Sequence, residues 1–299
     1  AIFRTAQEKG IRNLLTGGQG NLTISWTGNG LLTELIQQGH LTRALSEARA
    51  LTTSDQKKSA LRMLLNKGLM PLLPTPLWLA TRSILHKDAA LRKAYHAKTP
   101  WQDYAPIHPD FARKHRVFDR ALENGHDFFY RQCVDTRKRR LKIIENSGKL
   151  FDGIMMGYQK IYHVATRDPS TDQRLVEFCL KLPEEQFLRS GISKWLIRRA
   201  MADKLPSEVL WNKERGLQAA DWYIRLLKAK PKIQETLHRL EKSDLVRQAI
   251  DLNRLRRLVD AMPKTGIDPQ GLIRDYRQVL ETGLMTGSFM LWFETGHWR

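Results

Sequence analysis

The chain has 299 residues, 41% hydrophobic and 27% charged, with only 12 prolines, so it is long enough to bury a core without metal or disulfide staples. That composition excludes a small scaffold and a disordered chain. Fifty Lys and Arg against 31 Asp and Glu leave a net charge of +19, a field that draws polyanions. The most apolar runs, such as residues 68–79, are short and broken by prolines, which excludes a membrane-spanning helix and any membrane partner. The start, AIFRTAQEKG, carries no basic segment leading into an apolar core, and the two cysteines, Cys133 and Cys179, suit a reducing compartment; the expected location is the cytoplasm.

In chain order, the first ten residues read as the inside of a domain and begin at Ala1, so the chain is expected to be the truncated, C-terminal part of a longer protein. Residues 11–15 (IRNLL) predict a strand that stops at Thr16, Gly17, Gly18, Gln19 and Gly20, with a helix-like stretch after Asn21. Glycine has no Cβ and accepts positive φ, so such a loop brings backbone N–H groups close to a phosphate. Neither a Walker A pattern nor a complete GxGxxG is present, and two readings stand: a phosphate cradle, or a tight turn without a ligand.

Beyond Gly30, residues 31–51, 59–70, 108–125 and 128–144 carry apolar side chains at helical spacing, and strand-like alternation is scarce. Prolines predict loops at 70–76 and 98–109. Basic clusters at 137–142 (RKRRLK) and 254–257 are expected to be solvated helix faces. Nucleic acid is the lesser reading, because no zinc-finger spacing or aromatic RNA-binding signature accompanies the charge. The nine histidines are scattered without metal-ligand spacing, and no Ser-His-Asp arrangement can be assembled.

The informative region runs from 155 to 222. Arg167-Asp168-Pro169-Ser170-Thr171-Asp172-Gln173-Arg174-Leu175-Val176-Glu177-Phe178 is followed by Leu182-Pro183. Then come Lys194-Trp195-Leu196-Ile197-Arg198-Arg199-Ala200, Leu205-Pro206-Ser207-Glu208-Val209 and Trp211-Asn212-Lys213-Glu214-Arg215-Gly216-Leu217. In order and spacing these resemble the synthetase domain of asparagine synthetases, whose pattern runs R-S-P-F-L-D-x-R-L-V-E-F, L-P, K-x-x-L-R-x-A, L-P-x-x-V and R-x-K-x-G-F. LLTGGQGN falls where that family has its L-S-G-x-G-x-D-E loop.

The resemblance implies an adenylating enzyme using ATP and Mg²⁺: a carboxylate is activated with release of pyrophosphate, and an amine attacks the acyl-AMP to form an amide. It implies that Lys194 is the catalytic residue, in contact with phosphate. Ser193 is expected to cap the following helix, with Lys194 in its first turn and Arg198 one turn on, on the same face. Thr16, Gly17, Gly18, Gln19, Gly20, Arg198 and Lys213 are the expected ATP and pyrophosphate contacts, with Arg215 adding charge. Asp172 and Arg167 are expected to hold loops together. Where the family has an acidic pair, this chain has Asn21 and Leu22, so Asn21 alone would reach the metal. The family's S-G-G-x-D-S pyrophosphate loop and its glutaminase domain are not in these residues.

The expected fold is α/β, predominantly α: the C-terminal part of an adenine-nucleotide-α-hydrolase-like (ATP pyrophosphatase) synthetase domain with a large helical extension. Residues 1–30 would be the last strand and glycine loop of the nucleotide-binding core, 31–150 a helical insertion, 151–222 the catalytic region and 223–299 a C-terminal helical region. The substrate would be aspartate, as in asparagine synthase, or a peptide carboxylate closed onto its own amine, as in lasso-peptide cyclases; TGGQGN, RDPSTD and the following R-G-x-Q-A-A-D-W resemble more the divergent asparagine-synthetase-related proteins, some of which close macrolactam rings on peptides. The reading from another class is a noncatalytic basic helical module that binds nucleic acid or an acidic partner, marked by steep salt dependence. Oligomeric state is left open.

Overall fold

The computed structural model describes residues 2–52, 59–85, 89–129, 135–212, 221–264 and 269–296. The first elements are α1 (Ile2–Glu8), β1 (Asn13–Leu15), α2 (Leu31–Gln37), α3 (Leu41–Thr52), α4 (Ala60–Leu64), α5 (Thr75–Leu85), α6 (Ala89–His96), α7 (Pro109–Lys114) and α8 (Val117–Glu123). Then follow α9 (Thr136–Tyr162), β2 (Ala165–Arg167), α10 (Gln173–Lys181), β3 (Leu188–Arg189), β4 (Ile192–Ser193), α11 (Trp195–Ala200) and α12 (Ser207–Leu210). The last are α13 (Trp222–Lys228), α14 (Lys230–Leu240), α15 (Asp244–Ala249), α16 (Leu252–Asp260), α17 (Pro269–Leu272) and α18 (Thr282–Thr295). The protein is α-rich with few strands. It divides into two compact units, each built from two separated stretches: Ala1–Trp78 with Arg131–Lys213, and Leu79–Tyr130 with Glu214–Arg299.

In the first unit, β1 pairs in parallel with β2, Asn13 opposite Ala165 and Leu15 opposite Arg167, about 150 residues apart in sequence. The strand predicted at 11–15 is present as its last three residues. The helix-like stretch after Asn21 is a single 3₁₀ turn, Gly20–Leu22, and α2 begins only at Leu31. The helix α9 starts where Asp135 accepts the Lys138 N–H at 3.0 Å, and ends at His163 in the left-handed region.

The basic cluster 137–142 is not wholly a solvated face. Arg140 is completely buried, its guanidinium 5.1 Å from the Trp26 ring and 5.0 Å from the Phe187 ring, with Nη2 donating to the Cys179 carbonyl at 3.3 Å. Helical periodicity places position 140 on the inward side, and the nearby carboxylate of Glu184 makes a cation tolerable there. Cys179 itself is a buried free thiol, whose ionisation burial pushes up; Cys133 lies outside the described residues.

Two further expectations change. Pro76 does not break a helix but lies in the first turn of α5, where a missing N–H costs nothing. The periodic stretch 108–125 is two short helices, α7 and α8, separated at Arg116, whose φ of 49° ends one helix and opens the next. The predicted loop at 98–109 holds as far as His108, whose side chain caps α7 by accepting the Asp110 N–H at 3.2 Å.

The second unit is held by Ile233, Leu237, Leu240, Val246, Leu255 and Val279, all buried. The helix α18 packs through glycine: a Cβ at Gly283 would lie 2.7 Å from Leu255 Cδ1, and one at Gly287 2.8 Å from Leu240 Cδ1. In the same core the Tyr223 hydroxyl donates to the Pro263 carbonyl at 2.9 Å and the Tyr276 hydroxyl to the Leu258 carbonyl at 3.1 Å. Burial, with Tyr276 alongside, pushes the Tyr223 hydroxyl up from 10.0 to about 12. A phenol whose folded pKa exceeds its unfolded value contributes stability that is complete below pH 10 and is lost as pH rises through about 12. Urea melts across that window are therefore expected to fall more steeply for the native protein than for Tyr223→Phe; parallel curves would remove the assignment.

Candidate active site

The parallel pairing of β1 with β2 brings two loops together at the carboxyl ends of the two strands. One is the glycine loop, the other the segment 167–172. Thr16 N–H donates to the Arg167 carbonyl at 2.8 Å, Gln19 N–H to Asp168 Oδ2 at 3.0 Å, and the Thr23 hydroxyl to the Ser170 carbonyl at 3.0 Å. Asp168 Oδ1 also accepts from the Ser170 N–H, at 2.9 Å, and from its hydroxyl. Thr16, Gly17 and Gly18 are exposed, Gln19 is half-buried and Gly20 buried. The loop is thus part turn and part open backbone: the Gln19 N–H is committed to a carboxylate, while Gly17 and Gly18 face solvent.

From this loop the chain runs to Trp26, whose Nε1 donates to Glu184 Oε2 at 2.8 Å, and past Gly28, which lies against the backbone of Leu188 in β3. The strands β3 and β4 form a hairpin, Leu188 opposite Ser193, around Ser190 and Gly191, both at positive φ. Glu47 pins that turn, its carboxylate accepting the Ser190 N–H at 3.0 Å and the Gly191 N–H at 3.1 Å. The hairpin delivers Lys194. Ser193 does not cap α11 and Lys194 is not in its first turn: Ser193 ends β4, and Lys194 is itself the residue before the helix, at φ 58°. The reason is the Trp195 N–H, which donates at 2.8 Å to the Phe187 carbonyl and holds the chain at the base of the hairpin.

Lys194 is half-buried, and among the described residues its ammonium has no hydrogen-bond or ion-pair partner. Arg198 is differently placed. Its guanidinium donates to the carbonyls of Ser193 at 3.0 Å, Asn212 at 3.0 Å and Leu210, and lies 5.8 Å from the centre of the Trp211 ring. It ties the end of the hairpin to the end of α12, which makes it a positioning group for Lys194. Lys213 and Arg215 lie outside the described residues. Asp172 holds its loop as expected, capping α10 through the Arg174 N–H and pairing with the Arg174 side chain, both at 3.0 Å; that hydrogen bond lowers the Asp172 pKa. Arg167 contributes its backbone carbonyl, and its side chain is exposed.

Among the described residues no three His, Cys, Asp or Glu side chains come together to hold a metal. Asn21 stands exposed on its 3₁₀ turn, so the residues described do not make the Mg²⁺ site that the resemblance implies. Asp168, Glu184, Glu47 and Arg140 were missed from the sequence. Their types are those of ordinary surface residues; Asp168 stood inside the 167–172 motif and Arg140 inside the basic run 137–142, while Glu184 and Glu47 carried no signal.

The sequence model of the family described as asparagine synthase matches residues 158–293, from within α9 to within α18, and this stretch includes the Lys194 motif. No curated protein and no solved structure matches the chain. Over residues 158–293 this chain carries an asparagine synthase family domain.

Proposed function

We propose that the chain is the C-terminal part of an ATP-dependent amide-forming ligase that adenylates a carboxylate, releases pyrophosphate and passes the acyl group to an amine. The observation that carries this reading is the family match over 158–293, with Lys194 inside it. ATP, when bound, supplies the adenylyl group. The α/β core around β1 and β2 is read as part of an ATP-pyrophosphatase fold, with the N–H groups of Gly17 and Gly18 turned toward phosphate. Lys194 has an ammonium without a partner among the described residues, held by the hairpin and the Arg198 clamp where it can draw charge building on the leaving pyrophosphate. The S-G-G-x-D-S loop would come from residues outside this chain.

The test is pyrophosphate release by the complete protein with ATP and either aspartate plus ammonia or a peptide carrying both carboxylate and amine. Lys194→Asn removes the cation yet tolerates the left-handed backbone, and is expected to lower kcat about 100-fold with the unfolding midpoint unchanged. An unchanged kcat would take the role from Lys194. No carboxylate-dependent release with any of these substrates would end the ligase reading.

A further inference from the structure

Lys194 lines an open cleft of 230 Å³ formed by α11, α12 and the turn between them. Its walls are Ile197, Met201, Leu205, Val209 and Leu210, and among the described residues no carboxylate lines it. Two of these apolar side chains are exposed, Leu205 at 42% and Val209 at 60%. The other cation lining the cleft, Arg198, is tied to three backbone carbonyls, and Asn212 is the remaining polar neighbour. An ammonium without a partner among the described residues, beside an apolar trough, is complementary to an anion with an apolar chain. It is not complementary to free aspartate, whose α-ammonium finds no acceptor carboxylate there among the described residues. The volume holds about eight groups of water's size, ~30 Å³ each.

We propose that this cleft binds a carboxylate with an apolar chain, the carboxylate at Lys194 and the chain along Ile197, Met201, Leu205 and Val209. The binding stands on the cleft alone. That the bound carboxylate is the one to be activated rests on the adenylation reading above, with the same ammonium holding the carboxylate before adenylation and the charge on pyrophosphate as it leaves.

Titration calorimetry of the full chain with acetate, butanoate, hexanoate and octanoate tests it. Affinity is expected to rise about fourfold per added methylene as the chain fills the trough. Val209→Asp, at an exposed position where folding is undisturbed, should weaken octanoate about tenfold or more, and Lys194→Asn should weaken every member of the series. Phe289→Asp, on the exposed face of α18 in the other unit, should leave octanoate unchanged. Equal binding of acetate and octanoate, equal binding of octylamine and octanoate, or an equal loss in Val209→Asp and Phe289→Asp would each overturn the proposal. If octanoate binds but never supports pyrophosphate release, while aspartate does, the cleft stands and its tie to activation falls. If no carboxylate supports release, it is the adenylation reading that fails.

Discussion

Glu184→Ala is expected to cost about 3–5 kcal/mol of unfolding free energy. Glu184 is 1% exposed and accepts from Trp26 Nε1, at 2.8 Å, and from the Thr136 hydroxyl. Its backbone N–H donates to Glu34 Oε2 at 3.3 Å. Beside it, Arg140 is fully buried, with Nε and Nη1 unbonded; burial lowers its pKa and the Glu184 charge raises it again. Truncating Glu184 leaves a cation without compensation, an indole N–H and a hydroxyl without acceptors, and a void against Gly30, where even a Cβ would stand 3.3 Å from Glu184 Cδ. The second half of the cycle separates charge from packing. Arg140→Met removes the orphaned cation, so the double variant should recover part of the loss, and the two single effects should not add. Urea unfolding of the four proteins measures the coupling. A loss below about 1 kcal/mol for Glu184→Ala, or strict additivity, would show that the two charges do not depend on each other.

The next largest effect is expected at Gly28. A Cβ there would fall 2.4 Å from Leu188 Cβ and 2.7 Å from the Leu188 backbone nitrogen, and φ is +72°. The obstacle is partly backbone, so no rotamer change relieves it, and Gly28→Ala should destabilise by about 3–4 kcal/mol. Gly39 supplies the control. Its φ is +77° but nothing lies within 4 Å of its missing Cβ, so Gly39→Ala should cost only the left-handed backbone, about 1–2 kcal/mol. Thermal melts of the two variants separate close approach from backbone strain, and equal shifts would refute the close approach. Because Leu188 opens the hairpin that ends at Lys194, a displaced β3 should also reduce turnover in Gly28→Ala but not in Gly39→Ala.

How much of the site was legible depends on the range over which each signal acts. The glycine loop was readable because glycine clusters after an apolar run have a local backbone meaning, and β1 does end at Leu15 before it. The 167–172 and 194–200 motifs were readable from order and spacing, and the family match covers them. The backbone at Lys194 was not readable. A Ser-Lys pair ahead of an amphipathic run is the usual mark of a capped helix, but here the hairpin takes Ser193 into a strand, and the Trp195 N–H bonds across to Phe187. Nor was the role of Arg198 readable, since its carbonyl partners lie at Ser193, Leu210 and Asn212, gathered only by the turn between α11 and α12.

Composition, charge and helical periodicity by themselves pointed to an α-rich chain, and among the described residues no helix is long and apolar enough to cross a membrane; the ordered motifs between 155 and 222 pointed to the family whose model matches residues 158–293. These are properties of neighbouring residues, and local sterics and spacing act within a few positions of the chain. Tertiary structure alone decided the rest. It decided that Asp168 reaches the Gln19 N–H across 149 residues, and that Arg140 leaves a basic run for the interior. It also decided that, among the described residues, Lys194 keeps an ammonium without a partner beside an apolar cleft while Arg198 gives its donors to the backbone. Each outcome depends on which groups are left to satisfy one another once water is excluded, and that is settled only when distant segments meet.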